Sequence, residues 1–125
     1  MLSAFSRRYT ATPYNRIVFS FIETKLFTRL VQEYLTDEEY SELQMSLIEQ
    51  PEAGSVIPGT NGVRKLRWRA PGRGKRGGYR VIYFAKIEKG LIWMLTMYPK
   101  NLKDNIPVDV LRQIRQEVED AQENS

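Results

Sequence analysis

The stretch VRKLRWRAPGRGKRGGYRVIYF, residues 63–84, decides both the fold and the charge distribution of this chain. Eight of its 22 residues are Lys or Arg, and none is acidic. Apolar and aromatic residues typical of β-strands occupy its two ends, whereas four glycines and three cations make up its middle. The pattern predicts two strands, residues 63–70 and 78–87, joined by a basic turn.

The residues before this stretch predict one strand and two helices. Residues 16–22, RIVFSFI, are rich in β-branched and aromatic side chains and predict a strand. Apolar residues at steps of three and four over residues 24–35 predict a helix with one apolar face. A second helix follows, because Thr36 and Glu39 form a capping-box pattern, and Pro51 ends it.

The residues after it predict one more strand and a closing helix. Residues 91–98 form an apolar run, and Glu88-Lys89-Gly90 is short enough to join it to the preceding strand as a hairpin. Residues 107–121 place their apolar side chains on one side of a helix. The prediction is an α+β fold with a small antiparallel sheet. Two N-terminal helices and a C-terminal helix pack on one face of it, and the first strand enters non-sequentially.

Composition limits the class of protein. A chain of 125 residues is long enough for one domain, predicted over residues 16–125, and no apolar run is long enough to cross a bilayer. We therefore expect a soluble protein. Residues 1–15 are polar and contain two Arg and no acidic residue. They are interpreted as a flexible leader or an over-long translation start, with an amphipathic transit peptide as the alternative.

The absence of Cys and His excludes several kinds of chemistry. Without either residue type the chain has no Ser-His-Asp or Cys-His catalytic group, no two-histidine nuclease site and no Cys/His zinc site. Any catalysis must use Lys, Arg, Tyr, Asp, Glu, Ser or Thr. Our prediction includes neither a metal nor another cofactor.

Charge is distributed unevenly along the chain. Residues 53–87 contain nine Lys or Arg and no acidic residue, so that the other ten cations share the rest of the chain with all 15 acidic residues. The formal net charge of +4 therefore combines an acidic body with one basic segment. This asymmetry favours a localised binding site for a polyanion.

Strand alternation divides the first part of the basic stretch into two faces. Lys65, Arg67 and Arg69 share one face, with about 7 Å between successive members, a spacing close to that of phosphates along a nucleic-acid strand. Trp68 lies on the opposite, apolar face. Alternation also places Arg64 on the apolar face. Because it stands at the start of the strand, its side chain is expected to extend into solvent.

Polar residues on the two later strands are also candidates for a polyanion-binding site. Arg80 stands in a strand of core-type residues, where it must meet an anion or reach solvent. Alternation places Tyr98 and Lys100 on one face of the last strand, and Leu95 and Met97 on the other. Taken singly, these residues and the turn cations are also explained by packing and solvation. Together they would place like charges side by side on one sheet surface, which a bound polyanion explains more simply.

The candidates form two groups. The candidates for chemistry on a polyanion are Lys65, Arg67, Arg80, Tyr98 and Lys100. The predicted nucleic-acid contacts are Arg64, Arg69, Arg73, Lys75, Arg76 and Lys103. The glycine-rich turn matches neither a Walker loop nor a Rossmann turn, since GxxxxGK[ST] is absent and a strand follows it.

The segments RKLRW, GRGKRGG, GYRVIYF and LTMYPKN, in this order after YLTDEEY, resemble the RelE/HigB-like toxins of bacterial toxin–antitoxin pairs, and the HigB branch especially. The likeness covers about residues 17–120. It implies a ribosome-dependent endoribonuclease that cuts the mRNA codon in the A site. It also implies a cognate antitoxin, commonly a helix-turn-helix protein of HigA type, that blocks the toxin in a hetero-oligomer.

The resemblance also implies positions for the cleavage site. The basic pair on the first sheet strand of the motif falls on Lys65 and Arg67, the Arg after the glycine turn on Arg80, and the last-strand position on Lys100 beside Tyr98. The C-terminal Tyr of some relatives has no match after Pro99.

The chemistry of RNA cleavage agrees with these residue types. RNA cuts itself when its 2′-OH loses a proton, the pentavalent phosphate is neutralised and the 5′-oxygen gains a proton, so a metal is not required. Lys65 is the candidate base, because neighbouring like charges favour a neutral amine. Arg67 and Arg80 would stabilise the phosphorane, Lys100 would assist the leaving group, and Tyr98 would stack on a base or relay a proton.

Two other functions explain the same cationic sheet. One is a non-catalytic module that binds RNA or the ribosome. The other is a protein-interaction module whose basic face receives an acidic partner, a role that antitoxin binding would also satisfy.

Overall fold

The computed structural model describes residues 4–10, 18–69, 78–102 and 106–123. Its elements in chain order are β1 (Ala4–Thr10), β2 (Val18–Thr24), α1 (Lys25–Tyr34), α2 (Asp37–Glu49), β3 (Ser55–Val56), β4 (Arg64–Trp68), β5 (Tyr79–Lys86), a 3₁₀ turn (Ile87–Lys89), β6 (Leu91–Pro99) and α3 (Val108–Glu123). All seven predicted elements are present, with ends within two residues of the prediction. Among the described helices, none is both long and apolar enough to cross a membrane.

The strands form one six-stranded sheet in the order β1-β2-β6-β5-β4-β3. The α+β class is confirmed, and β2 enters the sheet beside β6, out of sequence order as expected. The prediction of a wholly antiparallel sheet was wrong for this pair, which runs parallel from Ser20 opposite Leu91 to Glu23 opposite Met94. Side chains alternate in the same way in parallel and antiparallel strands, so the sequence pattern does not show the relative direction of two paired strands.

Two strands of the structure were not predicted. β1 pairs antiparallel with β2, from Ala4 opposite Thr24 to Thr10 opposite Val18, and lies within the segment interpreted as a leader. β3 is a two-residue strand that pairs with the start of β4. Neither segment has a sustained apolar alternation, so the sequence pattern gave no signal for a strand. The division of the chain at residue 16 stays a prediction.

Side-chain caps begin both N-terminal helices. The hydroxyl of Thr24 accepts a hydrogen bond from the backbone N–H of Phe27 at 3.0 Å and begins α1. The capping box predicted for α2 is present: the N–H of Glu39 donates to the Thr36 hydroxyl at 3.1 Å, and the N–H of Thr36 donates to the Glu39 carboxylate at 2.9 Å. These bonds satisfy N–H groups that the first helical turn leaves unpaired.

The sheet is covered on both faces. One core packs α1 and α2 against a set of strand residues that includes Phe21, Val81, Tyr83 and Met94. The other packs α3 against the alternate residues, among them Ile82, Phe84, Trp93 and Leu95. The expectation that all helices share one face was therefore wrong. The unbroken apolar run VIYF in β5 is typical of a strand buried on both faces.

Ion pairs and a cation–π contact hold α3 against its face of the sheet. Glu119 is buried and pairs with both Lys86 and Arg115. The Arg115 guanidinium lies 4.8 Å from the centre of the Phe84 ring, which stacks on Trp93 with 4.5 Å between ring centres. These contacts fix the C-terminal half of α3 over the end of β5 that is farther from Tyr79.

A buried tyrosine joins the sheet to the segment that follows α2. The Tyr83 hydroxyl donates to the Pro51 carbonyl at 2.8 Å and accepts from the Gly54 N–H at 3.0 Å. Burial is the main cause that raises the pKa of Tyr83 above its usual 10.0. The native state therefore keeps this proton at pH values where the unfolded chain loses it.

Tyr83→Phe should lower the free energy of unfolding by about 1–3 kcal/mol, because the Gly54 N–H loses its acceptor. The raised pKa also means that Tyr83 stabilises the native state below pH 10.0 and that this contribution is lost as pH rises above 10.0. Urea unfolding measured on both sides of this pH should show a steeper decline for the natural chain than for Tyr83→Phe. Tyr34→Phe, at a half-buried tyrosine, is the control and should keep the steep decline. Equal declines in the natural chain and Tyr83→Phe would contradict the assignment.

Candidate nucleic-acid interface

The register of three strands aligns the central candidate residues in one row. Arg67 of β4 lies directly opposite Arg80 of β5, and Arg80 lies directly opposite Tyr98 of β6. Directly opposite residues have Cβ atoms about 4.5–5.5 Å apart. Lys65 is on the same face of β4, two residues from Arg67. We call Lys65, Arg67, Arg80 and Tyr98 the cationic face.

The cationic face lies on the α3 side of the sheet. Ile82, which is opposite Lys65, packs in the same core as α3, and Tyr98 packs against that core. Lys65 and Arg67 are nonetheless exposed, and Arg80 is half-buried. The Glu119 contacts hold the C-terminal half of α3 toward the other end of β5. The guanidinium groups of Arg67 and Arg80 therefore lie at the opposite end of β5 from that half of α3.

No acidic side chain among the described residues pairs with the three cations of this face. Within the described ranges, Lys65, Arg67 and Arg80 form no ion pair, and Arg80 makes a single long hydrogen bond, to the Tyr79 carbonyl at 3.5 Å. Like charges placed directly opposite on neighbouring strands repel each other. A bound phosphate would relieve this repulsion, and guanidinium groups provide the planar donor geometry that phosphate oxygens match.

A small cavity adjoins Lys65 and Tyr98. Its volume is about 80 Å³, and the remaining lining residues are Ile57, Ile82, Ile106 and Leu111. The Lys65 ammonium and the Tyr98 phenol thus have an apolar wall beside them. The sequence did not indicate this wall, because its residues come from a loop, a strand and the start of α3, which are far apart in the chain.

Lys100 follows β6 in a turn that the structure ties to β5. Its backbone N–H donates to the Gly78 carbonyl at 3.1 Å, and its side chain is exposed. A β-bulge in β6 changes the alternation of its side chains before this turn: Ile82 pairs with Thr96, but Tyr83 pairs with Met94. The extra residue, Leu95, packs in the same core as Tyr98. The prediction that Leu95 lies opposite Tyr98 was therefore wrong, whereas Met97 does lie on the other face.

The predicted RNA contacts have different surroundings. Arg64 donates to the carbonyls of Gly54 at 2.7 Å and Glu52 at 3.2 Å, and it pairs with the Glu52 carboxylate at 3.5 Å. It thus ties the segment after α2 to β4, and its contact with RNA stays a prediction. Arg69 is exposed just after β4. The remaining four, all outside the described residues, are Arg73, Lys75, Arg76 and Lys103.

The donor groups of a typical metal site are not gathered here. In the parts of the chain that the structure describes, no three Asp or Glu residues lie close enough together to hold a metal ion. The groups that the register brings together are cations and a phenol. Their arrangement suits the binding of a phosphate chain.

These features define a small α+β domain in which Arg67, Arg80 and Tyr98 are aligned across one face of the sheet. A family model described as the RelE toxin of the RelE / RelB toxin-antitoxin system matches residues 19–125. The chain therefore belongs to the RelE toxin family. Toxins of this family pair with an antitoxin, and they are generally endoribonucleases that cleave mRNA and inhibit translation.

Gly78 controls the register of the cationic face. Its φ of +81° favours glycine, and an added Cβ would lie 2.9 Å from the Trp68 carbonyl oxygen. The same residue accepts the bond from Lys100 and precedes Tyr79 and Arg80 by one and two positions. A side chain here must therefore push β5 away from β4 at the row that contains Arg67 and Arg80.

Gly78→Ala should destabilise the protein by about 1–3 kcal/mol and weaken RNA binding. Gly62→Ala is the matched control, since Gly62 has a φ of +102° but nothing within 4 Å of an added Cβ. It should lose stability through the backbone alone and keep its affinity for RNA. Urea unfolding and filter binding to a short RNA measure the two effects. Equal loss of RNA affinity in both variants would contradict the role of Gly78.

Proposed function

We propose that this chain is a ribosome-dependent mRNA endonuclease, the toxin of a toxin–antitoxin pair, which cleaves translated mRNA through metal-independent attack of a ribose 2′-OH. The single observation that carries the proposal is the row formed by Arg67, Arg80 and Tyr98, with Lys65 on the same face. Family membership supplies the biological setting. The motifs shared with the HigB branch support a place in that branch.

The proposed reaction uses each residue of the cationic face. Lys65 accepts the proton of the 2′-OH, the resulting oxygen attacks the adjacent phosphorus, and the bond from phosphorus to the 5′-oxygen breaks. Arg67 and Arg80 stabilise the charge of the pentavalent phosphate. Lys100 gives a proton to the departing 5′-oxygen, and Tyr98 stacks on a base. The products are a 2′,3′-cyclic phosphate and a free 5′-hydroxyl.

The shape of the site supports dependence on the ribosome. The cationic face is an open sheet surface, and the 80 Å³ cavity beside it is smaller than the ligand pockets that enclose a substrate, about 300–1,000 Å³. Phosphate contacts on such a surface bind RNA without fixing the 2′-oxygen in line with the leaving oxygen. The A site of a translating ribosome would supply that alignment, and the toxin would act in the cytoplasm.

The proposed partner is an antitoxin of the helix-turn-helix, HigA type. The family pairs its toxins with antitoxins, and the YLTDEEY segment, which resembles the HigB branch, supports the HigA pairing. The resulting complex is a hetero-oligomer in which the toxin is inactive.

Arg80→Ala and Arg67→Ala should each lower mRNA cleavage by at least about 100-fold, because each removes a donor from the transition state. Growth arrest on expression, with primer extension to map cuts within translated codons, measures this effect. Lys25→Ala removes an exposed charge at the start of α1 and should retain full toxicity. If the natural chain binds RNA but makes no cuts, the alternative of a non-catalytic binder replaces this proposal.

Two variants at Lys65 separate a proton-transfer role from a purely electrostatic one. Lys65→Ala should lower the cleavage rate and flatten its dependence on pH, since the group that accepts the proton is absent. Lys65→Arg keeps the positive charge but cannot lose its proton, so it should behave like Lys65→Ala. Single-turnover cleavage on programmed ribosomes across a pH series gives the profiles. If the cleavage rate of either variant depended on pH in the same way as that of the natural chain, Lys65 would be excluded as the base.

A further inference from the structure

A groove lies on the opposite side of the sheet from the cationic face. It has a volume of about 440 Å³, and its lining residues are Ser41, Glu42, Met45, Ser46, Glu49 and Trp68. Five of the six belong to α2, at the helical spacings of three and four that place side chains on one face. From Ser41 to Glu49 the groove follows the helix for about 12 Å.

The lining combines apolar contacts with negative charge. Trp68 is a core residue on the sheet face that packs against α2, with 9% of its surface exposed, and Met45 is exposed over 42% of its surface. Exposed methionine adapts its shape to different partners, and tryptophan is enriched at the centres of protein interfaces. Glu42 and Glu49 are also exposed. The groove therefore suits apolar side chains that are accompanied by positive charges.

The charge of α2 determines which class of partner fits. Asp37–Glu49 contains five acidic residues and neither Lys nor Arg. Such a surface repels the phosphates of RNA, so the groove does not extend the cationic face. A protein segment with Lys or Arg beside apolar residues has complementary charge and can fill the space between Met45 and Trp68.

We infer that this groove is the docking surface for a cationic, amphipathic segment of the antitoxin. The inference rests on the proposed function, because it takes the partner of the toxin to be the occupant. A toxin that must be held inactive requires a persistent interface, and here the apolar groove and its acidic side chains provide anchoring and charge complementarity together. Trp68 and Arg67 are adjacent in β4, so the antitoxin and the RNA would bind neighbouring residues on opposite faces of one strand.

The fluorescence of Trp68 provides a direct test. In a Trp93→Phe background Trp68 is the only tryptophan, since the chain contains two. The probe is a synthetic amphipathic helix of leucine and lysine, and the same helix with glutamate in place of lysine is the control peptide. The lysine peptide should change Trp68 emission saturably, whereas the glutamate peptide should not.

Variants locate the binding. Glu42→Lys combined with Glu49→Lys should weaken binding of the lysine peptide by about tenfold or more, and Met45→Ala should weaken it through lost apolar contact. Glu117→Lys makes a matched change of exposed charge on α3 and should leave the affinity unchanged. Circular dichroism verifies that each variant is folded. Unchanged affinity in the double variant, or an equal loss in Glu117→Lys, overturns the inference.

Growth assays test the identity of the occupant. Co-expression of the antitoxin encoded beside the toxin gene should relieve growth arrest by Glu117→Lys but not by the Glu42→Lys, Glu49→Lys double variant. Relief of both variants overturns the antitoxin assignment and indicates another cationic protein. A change of Trp68 emission with toxin concentration alone overturns it in favour of a second copy of this chain. Failure of the proposed function is distinct, because the natural chain would then produce neither growth arrest nor mRNA cuts.

Discussion

The pairing of β5 with both of its neighbours is the constraint on which the rest of the structure depends. Arg80 faces Arg67 on one side and Tyr98 on the other only while this register holds. At one end of β5, Gly78 sets the register through its left-handed backbone and its close approach to the Trp68 carbonyl. Farther along, the bulge at Leu95 of β6 changes the alternation, and the pairing of Arg80 with Tyr98 lies outside it.

The cationic face opposes folding, and the interior of β5 offsets that cost. A pair of like charges directly opposite on adjacent strands costs less than about 1 kcal/mol. Val81, Ile82, Tyr83 and Phe84 are all buried, and full burial of an apolar side chain contributes roughly 1.5–3 kcal/mol. The strand that carries Arg80 can therefore tolerate this repulsion. Binding of a phosphate chain would then relieve the repulsion without any rearrangement of the core.

Local patterns in the sequence predicted the elements well and their arrangement less well. The capping box of α2 and the alternation of β4 depend on neighbouring residues, so both were readable and both are present. The parallel pairing of β2 with β6, and the position of α3 on the second face, depend on contacts between distant residues. Only the VIYF run signalled that second face. The bulge at Leu95 left no signal, because an extra residue in one strand has no characteristic composition.

The candidate site shows the same division between local and distant information. Lys65 and Arg67 were placed on one face by alternation, and the row with Arg80 and Tyr98 required only the expected hairpin pairing. The apolar wall at Lys65 was not predictable, since Ile106 and Leu111 reach it from the other end of the chain. The role of Arg64 was also hidden, because its partners are backbone carbonyls and carry no sequence signature.

Alternation in β4 also explains how a small domain can have two surfaces of opposite charge. Successive residues of a strand point to opposite sides of the sheet, so Arg67 and Trp68 face different surroundings although they are adjacent in the chain. α2 covers the Trp68 side and brings only acidic charge to it, while the other side retains exposed cations. The sheet thus separates the acidic residues of α2 from Lys65 and Arg67, and these two sets of side chains favour partners of opposite charge.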